Sequence, residues 1–432
     1  MKRYTNPDRA TWPSLLARPA LEAAGLESRV RDIMLTVKEN GDAALLDFTQ
    51  TFDKVSLSSV AVSDNEWEKA KDCSPALQAA IVQATENIRR FHATQLTPIE
   101  KTETFPGVTC WRKSVGIEKV GLYVPGGSAP LFSTLLMLGI PALLAGCAEI
   151  IVCTPPGSNG QVHPAVLFAC QHLGLNKVFK VGGVQAIAAL THGTESIPAV
   201  HKIFGPGNQY VTAAKQLAQQ AGVAIDMPAG PSEVLVWADE SANPAFVAAD
   251  LLSQAEHGPD SQVVLVSHST AVLDAVDLAL TQQLALLPRA ATAALALENS
   301  KSICLDQADQ ILDLVNAYAP EHLILSLSDP LPWADRVRNA GSVFLGHYSP
   351  ESVGDYASGT NHTLPTNGYA RAYSGVSVDS FVKKITFQIL SPAGLQGLGP
   401  TVIEMARAEG LEAHAQAVAL RLTALDSLAP KP

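Results

Sequence analysis

The chain is 432 residues long, carries a net charge of −11, and is 47% hydrophobic but only 16% charged. Its length calls for more than one compact domain, and its acidic balance excludes the clustered basic surface that nucleic acid or an anionic membrane would select. So low a charged fraction also points to a surface partly covered by a second subunit.

The first hundred or so residues read as helical: 16–38 and 67–92 repeat apolar residues at three- and four-residue spacing. The basic start MKRYTNPDRATW leads into no apolar stretch, so no signal peptide is expected. From Val115 the texture changes to short apolar runs that end in glycine or proline turns and alternate with Ala- and Leu-rich segments. Strands are expected at 119–124, 149–153, 177–181, 201–204, 233–237, 262–266, 302–305, 322–325 and 342–345. Helices are expected between them at 131–145, 165–173, 185–191, 209–220, 244–255 and 270–286. The apolar stretch 131–153 has the length of a membrane span, but Gly139, Pro141, Gly146 and Glu149 interrupt it; it reads as a buried helix, a turn and a buried strand. After about Tyr373 the chain is expected to turn helical again, with final helices at 400–409 and 411–425.

Strand–helix alternation of this kind means parallel sheets with helices on both faces. There are strands enough for two, one on each side of the 226–230 turn, so the expected class is α/β with two Rossmann-like doubly wound domains. The expected organisation is a helical arm over 1–20, a first α/β domain from 21–114 and 227–372, a second from 115–226, and a C-terminal helical segment over 373–432.

Three glycine-rich turns sit at strand-to-helix junctions: VPGGSAP at 124–130, VGGVQA at 181–186 and FGPGNQYV at 204–211. A helix start there offers free N–H groups to a phosphate, but none of the three matches G-x-G-x-x-G, and by spacing alone ordinary turn glycines are the better account. In SQAEHGPDSQ, at 253–262, Gln254 and His257 share one face of a helix end that Gly258 and Pro259 terminate. An imidazole beside an oxygen donor suits zinc; a histidine at a helix end also serves as a plain dipole-compensating cation. The loop VGDYASGTNHTLPT carries Asp355 and His362, and EGLEAHAQA carries Glu409 and His414. Pro320, Glu321 and His322 precede an apolar strand, where a carboxylate and an imidazole can flank a ligand or a histidine can simply start the strand.

The six cysteines are scattered without a C-x-x-C pair, which fits reduced thiols in a cytoplasmic protein and neither a disulfide framework nor a thiolate zinc site. Cys147 and Cys153 raise a rival chemistry, aldehyde oxidation through a thiohemiacetal. Both lie in apolar surroundings without a nearby cation, where a small buried side chain is the better account.

Together and in order, GLYVPGGSAPLFSTLLML, FGPGNQYV, DMPAGPSEVLV, SQAEHGPDSQ, APEHL, VGDYASGTNHTLPT and EGLEAHA resemble the histidinol dehydrogenase family from about Leu21 to Leu425. The resemblance implies oxidation of L-histidinol through the aldehyde to L-histidine with NAD+ and one Zn2+ per subunit. It matches Gln254, His257, Asp355 and His414 to zinc ligands and Glu321 and His322 to the acid–base pair. It matches Ser232, Gln254, His257, His322, Asp355, Glu409 and His414 to the substrate site, and Tyr123, Gln185 and Asn208 to NAD. It further implies a homodimer whose terminal helical segments are exchanged, so that Glu409 and His414 serve the neighbouring subunit's site. Two alternatives stand beside it: a related dehydrogenase for another polyol or sulfonated diol, and a non-catalytic dimer with a closed structural zinc. A carboxylate at Glu409 would repel a sulfonate, and Glu321 with His322 speaks against a purely structural metal.

Overall fold

The structure, a computed structural model, describes residues 1–19, 25–126, 130–228 and 230–428. It divides into two compact units, one of Met1–Gln95 with Ile117–Phe381 and one of Leu96–Gly116 with Val382–Pro432. In chain order the strands are β1 (Lys2–Thr5), β2 (Lys101–Phe105), β3 (Val108–Gly116), β4 (Lys119–Tyr123) and β5 (Glu149–Thr154). They continue as β6 (Val178–Lys180), β7 (Lys202–Phe204), β8 (Ala224–Ile225), β9 (Glu233–Ala238) and β10 (Gln262–Ser267). The last are β11 (Lys301–Cys304), β12 (His322–Ser326), β13 (Ser342–Leu345) and β14 (Val382–Leu390).

The larger unit holds two parallel sheets, ordered β6-β5-β4-β7-β8 and β1-β11-β10-β9-β12-β13. Strands covered on both faces must be apolar throughout, and β9 (EVLVWA) and β10 (QVVLVS) are buried at every residue. On one face of this second sheet lie the helices Pro244–Ala255 and Thr270–Leu284; on the other lie Ala308–Tyr318 and the side chains of Trp12, Leu15 and Leu16. The helix Pro244–Ala255 begins where the Asn243 side chain accepts from the Ala245 amide at 2.9 Å, with proline at the first helical position.

The first sheet is covered on one face by Phe132–Ala145, Pro164–Leu173 and Pro75–Ala93, and on the other by Leu26–Phe48, Gly183–His192 and Gln209–Gln220. The membrane-like stretch proves to be its central helix and β5. Every residue from Ser133 to Ala142 is buried, and the helix ends where Gly146 takes φ +76°. Among the described residues, no helix is long and apolar enough to cross a membrane.

Three features differ from the sequence expectations. Residues 2–5, expected within a helical arm, form the edge strand β1 beside β11; KRYT is polar and mostly exposed, so no apolar pattern marks it. Helix Leu26–Phe48 starts ten residues later than expected, and its stripe of Val30, Met34, Val37 and Leu45 packs on the first sheet rather than on the 227–372 sheet. The stretch after Tyr373 is not wholly helical. β14 (VKKITFQIL) pairs antiparallel with β3 along its whole length, from Val382 opposite Gly116 to Leu390 opposite Val108. Its Ile385, Phe387 and Ile389 recur with the period of two that marks a strand. With β2, these strands form the three-stranded sheet of the smaller unit, followed by the helices Pro392–Ala408 and Glu412–Leu428. Part of the glycine turn at 124–130 and part of the 226–230 turn lie outside the described residues.

The turn after β7 is built around a buried ion pair. Lys215 pairs with Asp226, with side chains 3% and 1% exposed, and its ammonium donates to the carbonyls of Gly205 at 3.0 Å and Met227 at 3.3 Å. Asp226 in turn accepts from the Gly205 amide at 2.8 Å. Gly205 has φ +131°, and a Cβ there would stand 2.0 Å from the Tyr123 carbonyl, so only glycine fits. Lys215→Met should therefore cost about 3–5 kcal/mol by stranding a buried carboxylate. The companion Lys215→Met/Asp226→Leu variant should lose less, as read from the midpoints of denaturant unfolding.

Candidate active site

A cleft of about 690 Å3 opens in the larger unit. Each sheet contributes, but from opposite strand ends. The first sheet presents the turns that leave its strands, with Pro125 after β4 and Pro206, Gly207 and Asn208 after β7. The second presents the residues that enter its strands: Ser232 before β9, Ser261 before β10, and Glu321 and His322 at the start of β12. The wall is completed by the end of helix Pro244–Ala255, with Gln254 and His257, and by the segment carrying Glu351, Asp355 and His362.

Glu321 and His322 are 7% and 3% exposed, so their polar atoms must be satisfied internally. The Glu233 amide donates to the Glu321 carboxylate at 2.9 Å, and the His322 Nδ1 donates to the Glu233 carbonyl at 3.2 Å. The opposite ring nitrogen, Nε2, lies 3.1 Å from the Asp355 carboxylate, and the Glu321 carboxylate lies 3.6 Å from Nδ1. Burial pushes Glu321 above the usual carboxylate range, against the pull of His322. Burial works against the His322 charge, yet the Glu321 charge and the Asp355 hydrogen bond together carry its pKa well above the ordinary imidazole value. Asp355 is also opposed by burial, but its hydrogen bond to His322 holds it below the usual range. Three groups therefore share one charge balance, and whatever engages Asp355 alters the basicity of His322.

Desolvation by the cleft walls lowers the His257 pKa against the pull of Asp355, leaving a neutral imidazole with a free lone pair. Gln254 is 2% exposed. Gln254, His257 and Asp355 thus present amide, imidazole and carboxylate donors to one cleft, a nitrogen and oxygen set without thiolate that fits a borderline divalent cation. Among the described residues, no three His, Cys, Asp or Glu side chains form a metal site by themselves. The set is chemically suitable but one or more donors short.

Of the remaining expected residues, Asn208 lines the cleft and the others do not. Tyr123 and Gln185 are buried and do not line the cleft; the Tyr123 hydroxyl accepts from the Gly183 amide at 3.2 Å, and burial pushes its pKa up to about 12. Asn208 lines the cleft as the cap of helix Gln209–Gln220, its side chain accepting from the amides of Tyr210 at 3.0 Å and Val211 at 3.2 Å. Glu409 and His414 belong to the smaller unit, where both are exposed at the junction of its two helices.

Two further residues belong to the cleft. Glu351 is fully buried and accepts from the Ser253 hydroxyl, and burial pushes its pKa up to about 8. His362 donates from Nδ1 to the Asp355 carbonyl at 2.8 Å and meets the Thr134 hydroxyl at 3.3 Å, which orients the segment carrying Asp355. Sequence spacing marked His362 only as a loop residue, and nothing in SPESVGDY signals that its glutamate is buried. All six cysteines are free, and none lines the cleft.

Comparison with known proteins identifies the family. A model of the histidinol dehydrogenase family matches residues 16–422. The chain is 58% identical to the histidinol dehydrogenase of Bacteroides thetaiotaomicron over 98% of its own length and 100% of the relative's. It is 54% identical to that of Xanthomonas euvesicatoria pv. vesicatoria, over 97% and 98% of the two chains. The crystal structure of histidinol dehydrogenase from Elizabethkingia anophelis superposes with a TM-score of 0.97 at 53% identity, covering 99% of each chain. Matched along nearly its whole length in sequence and in fold, the chain belongs to the histidinol dehydrogenase family.

Proposed function

We propose that this chain oxidises L-histidinol to L-histidine with two NAD+, using Glu321 and His322 as its acid–base pair. The observation that carries this reading is the buried pairing of Glu321 and His322 in the wall of a cleft that also holds Gln254, His257 and Asp355. In the first oxidation His322 removes the hydroxyl proton as a hydride passes from the alcohol carbon to NAD+, giving the aldehyde and NADH. Water then adds to the aldehyde carbon with its proton accepted by Glu321, whose raised pKa suits it to that task. As the water adds, His322 returns its proton to the carbonyl oxygen, so that the hydrated aldehyde can lose a second hydride to a second NAD+ and a hydroxyl proton to His322, leaving the acid, which ionises to the carboxylate. Glu321 and Asp355 support the His322 imidazolium; were Asp355 to hold a metal ion, that support would weaken and His322 would be freer to accept a proton.

Gln254, His257 and Asp355 would hold the zinc ion, together with His414 of a second subunit. When bound, zinc would supply positioning, offering a Lewis-acid centre to the nitrogen donors of the substrate. Glu409, also from that second subunit, would meet the substrate's cationic head, which favours histidinol over a sulfonated diol. The cleft turn at Asn208, at a helix start, suits the dinucleotide phosphates; Tyr123 and Gln185 would serve the same cofactor from the buried side of the first sheet. Unpaired thiols throughout fit residence in the cytoplasm.

The experiment is NADH formation with histidinol, and with the aldehyde supplied separately. Glu321→Gln should slow the aldehyde-to-acid step at least tenfold more than the alcohol step; equal losses in both would remove the assigned role. Sharing of sites across a homodimer can be tested by mixing two inactive variants, His322→Asn and His414→Asn. Random reassembly should restore about a quarter of parental activity, because half the dimers then contain one intact site, whereas sites built within single chains would restore none.

A thiohemiacetal route is disfavoured by the same structure. Burial pushes Cys147 up to about 11 and Cys153 higher still, and neither reaches the cleft. Cys153→Ala should keep aldehyde oxidation within about twofold of the parent, and iodoacetamide at neutral pH should leave both thiols unlabelled in the folded protein, as read by mass spectrometry.

A further inference from the structure

We propose that Arg18 and Glu233 are positioning residues for the Glu321–His322 pair, the Arg18 guanidinium fixing the Glu233 carboxylate and the Glu233 backbone amide and carbonyl fixing the two reacting side chains. This rests on the acid–base reading of Glu321 and His322 given above.

Glu233 is the first residue of β9 and is 1% exposed. Its amide and carbonyl are the groups that meet the Glu321 carboxylate at 2.9 Å and the His322 Nδ1 at 3.2 Å. Any residue could supply that peptide. What is particular is the side chain, since a buried carboxylate is costly unless fully paired. It receives Arg18 Nε at 3.0 Å, Arg18 Nη2 at 2.9 Å and the Asn367 amide at 2.7 Å. A guanidinium fork that meets both carboxylate oxygens sets orientation as well as distance.

Arg18 is itself immobilised. It stacks over the Tyr318 ring at 3.8 Å, donates to the Tyr318 carbonyl at 2.7 Å, and has a side chain only 12% exposed. Tyr318 carries the constraint onward, its hydroxyl donating to the Gln262 side chain at 3.0 Å at the start of β10. Asn367, which also lines the cleft, sits at φ +54°, in the left-handed region that asparagine adopts more readily than other non-glycine residues.

The consequence for chemistry is a tautomer. A carbonyl oxygen can only accept, so Nδ1 of His322 must carry a proton to meet Glu233. Nε2 is left on the side of Asp355 and the cleft, where it donates to the Asp355 carboxylate while the ring is charged and is the nitrogen that gives up its proton when the ring is neutral. The Glu233 amide and carbonyl belong to adjoining peptide planes, so a shift of the Glu233 backbone would loosen this nitrogen and the Glu321 carboxylate together. Arg18 and Glu233 thus act through the peptide without touching the reacting atoms.

The test uses the full-length, metal-loaded enzyme with Arg18→Ala and the near-isosteric Glu233→Gln. In each, kcat for both oxidations should fall about 10- to 100-fold, with KM for histidinol and for NAD+ within about threefold of the parent. Added ethylguanidinium should recover most of the activity of Arg18→Ala. Nitrogen-15 NMR of His322 in the same variants should show the Nδ1-protonated tautomer losing its dominance. A kcat within twofold of the parent in both variants, or a rise in KM without loss of kcat, would overturn the proposal, as would an unchanged tautomer. If Arg18→Ala fails to fold, Glu233→Gln decides alone. Parallel assays of Glu321→Gln and His322→Asn separate the two layers: their retained turnover would defeat the acid–base reading, while the tautomer measurement still reports on the Arg18–Glu233 link.

Discussion

An imidazole and a carboxylate on neighbouring residues are buried at the first turn of β12, and their polar atoms must be answered from within the protein. The parallel pairing of β12 with β9 answers them, because register sets His322 beside Val234 and so brings the 233 peptide within reach of both. A slip of one residue would turn the imidazole to the other face of the sheet. The catalytic arrangement is in this sense a property of strand pairing, made possible by the continuous apolar runs that bury β9, β10 and β12 from both sides.

This explains how much could be read in advance. The two parallel sheets were legible because strands buried on both faces are written as unbroken Val, Ile and Leu runs, and helices such as Gln209–Gln220 and Pro244–Ala255 begin at Asn caps and were located to the residue. The strands that escaped notice lack such writing. β1 is polar and gains its place only by meeting β11 some three hundred residues later, and β2 and β3 carry mixed polar residues with little burial. β14 alternates, but its neighbourhood of helical segments masked the shorter period.

The site was legible to a different depth. Chemistry-bearing residues could be listed from motifs, and Ser232, Gln254, His257, Glu321, His322, Asp355 and Asn208 do line one cleft. Convergence itself is a tertiary fact. No spacing rule relates Arg18 to Glu233 across 215 positions, or Ser253 to Glu351 across 98. Burial is equally invisible: the sequence does not distinguish the fully enclosed Glu351 from exposed glutamates such as Glu27. Tyr123 and Gln185 show the converse, marked by resemblance yet placed behind the cleft wall.

The opposite orientation of the two sheets at the cleft has an electrical meaning. Where the first sheet delivers strand ends, helices begin, and the start of Gln209–Gln220 directs the partial positive end of its dipole toward the opening. Where the second sheet delivers strand starts, helices finish, and the end of Pro244–Ala255 directs carbonyls and partial negative charge toward it from the other side. The direction in which the chain runs through each sheet thus gives the cleft a built-in gradient, one lip favouring anions and the other favouring cations, before any ionised side chain is counted.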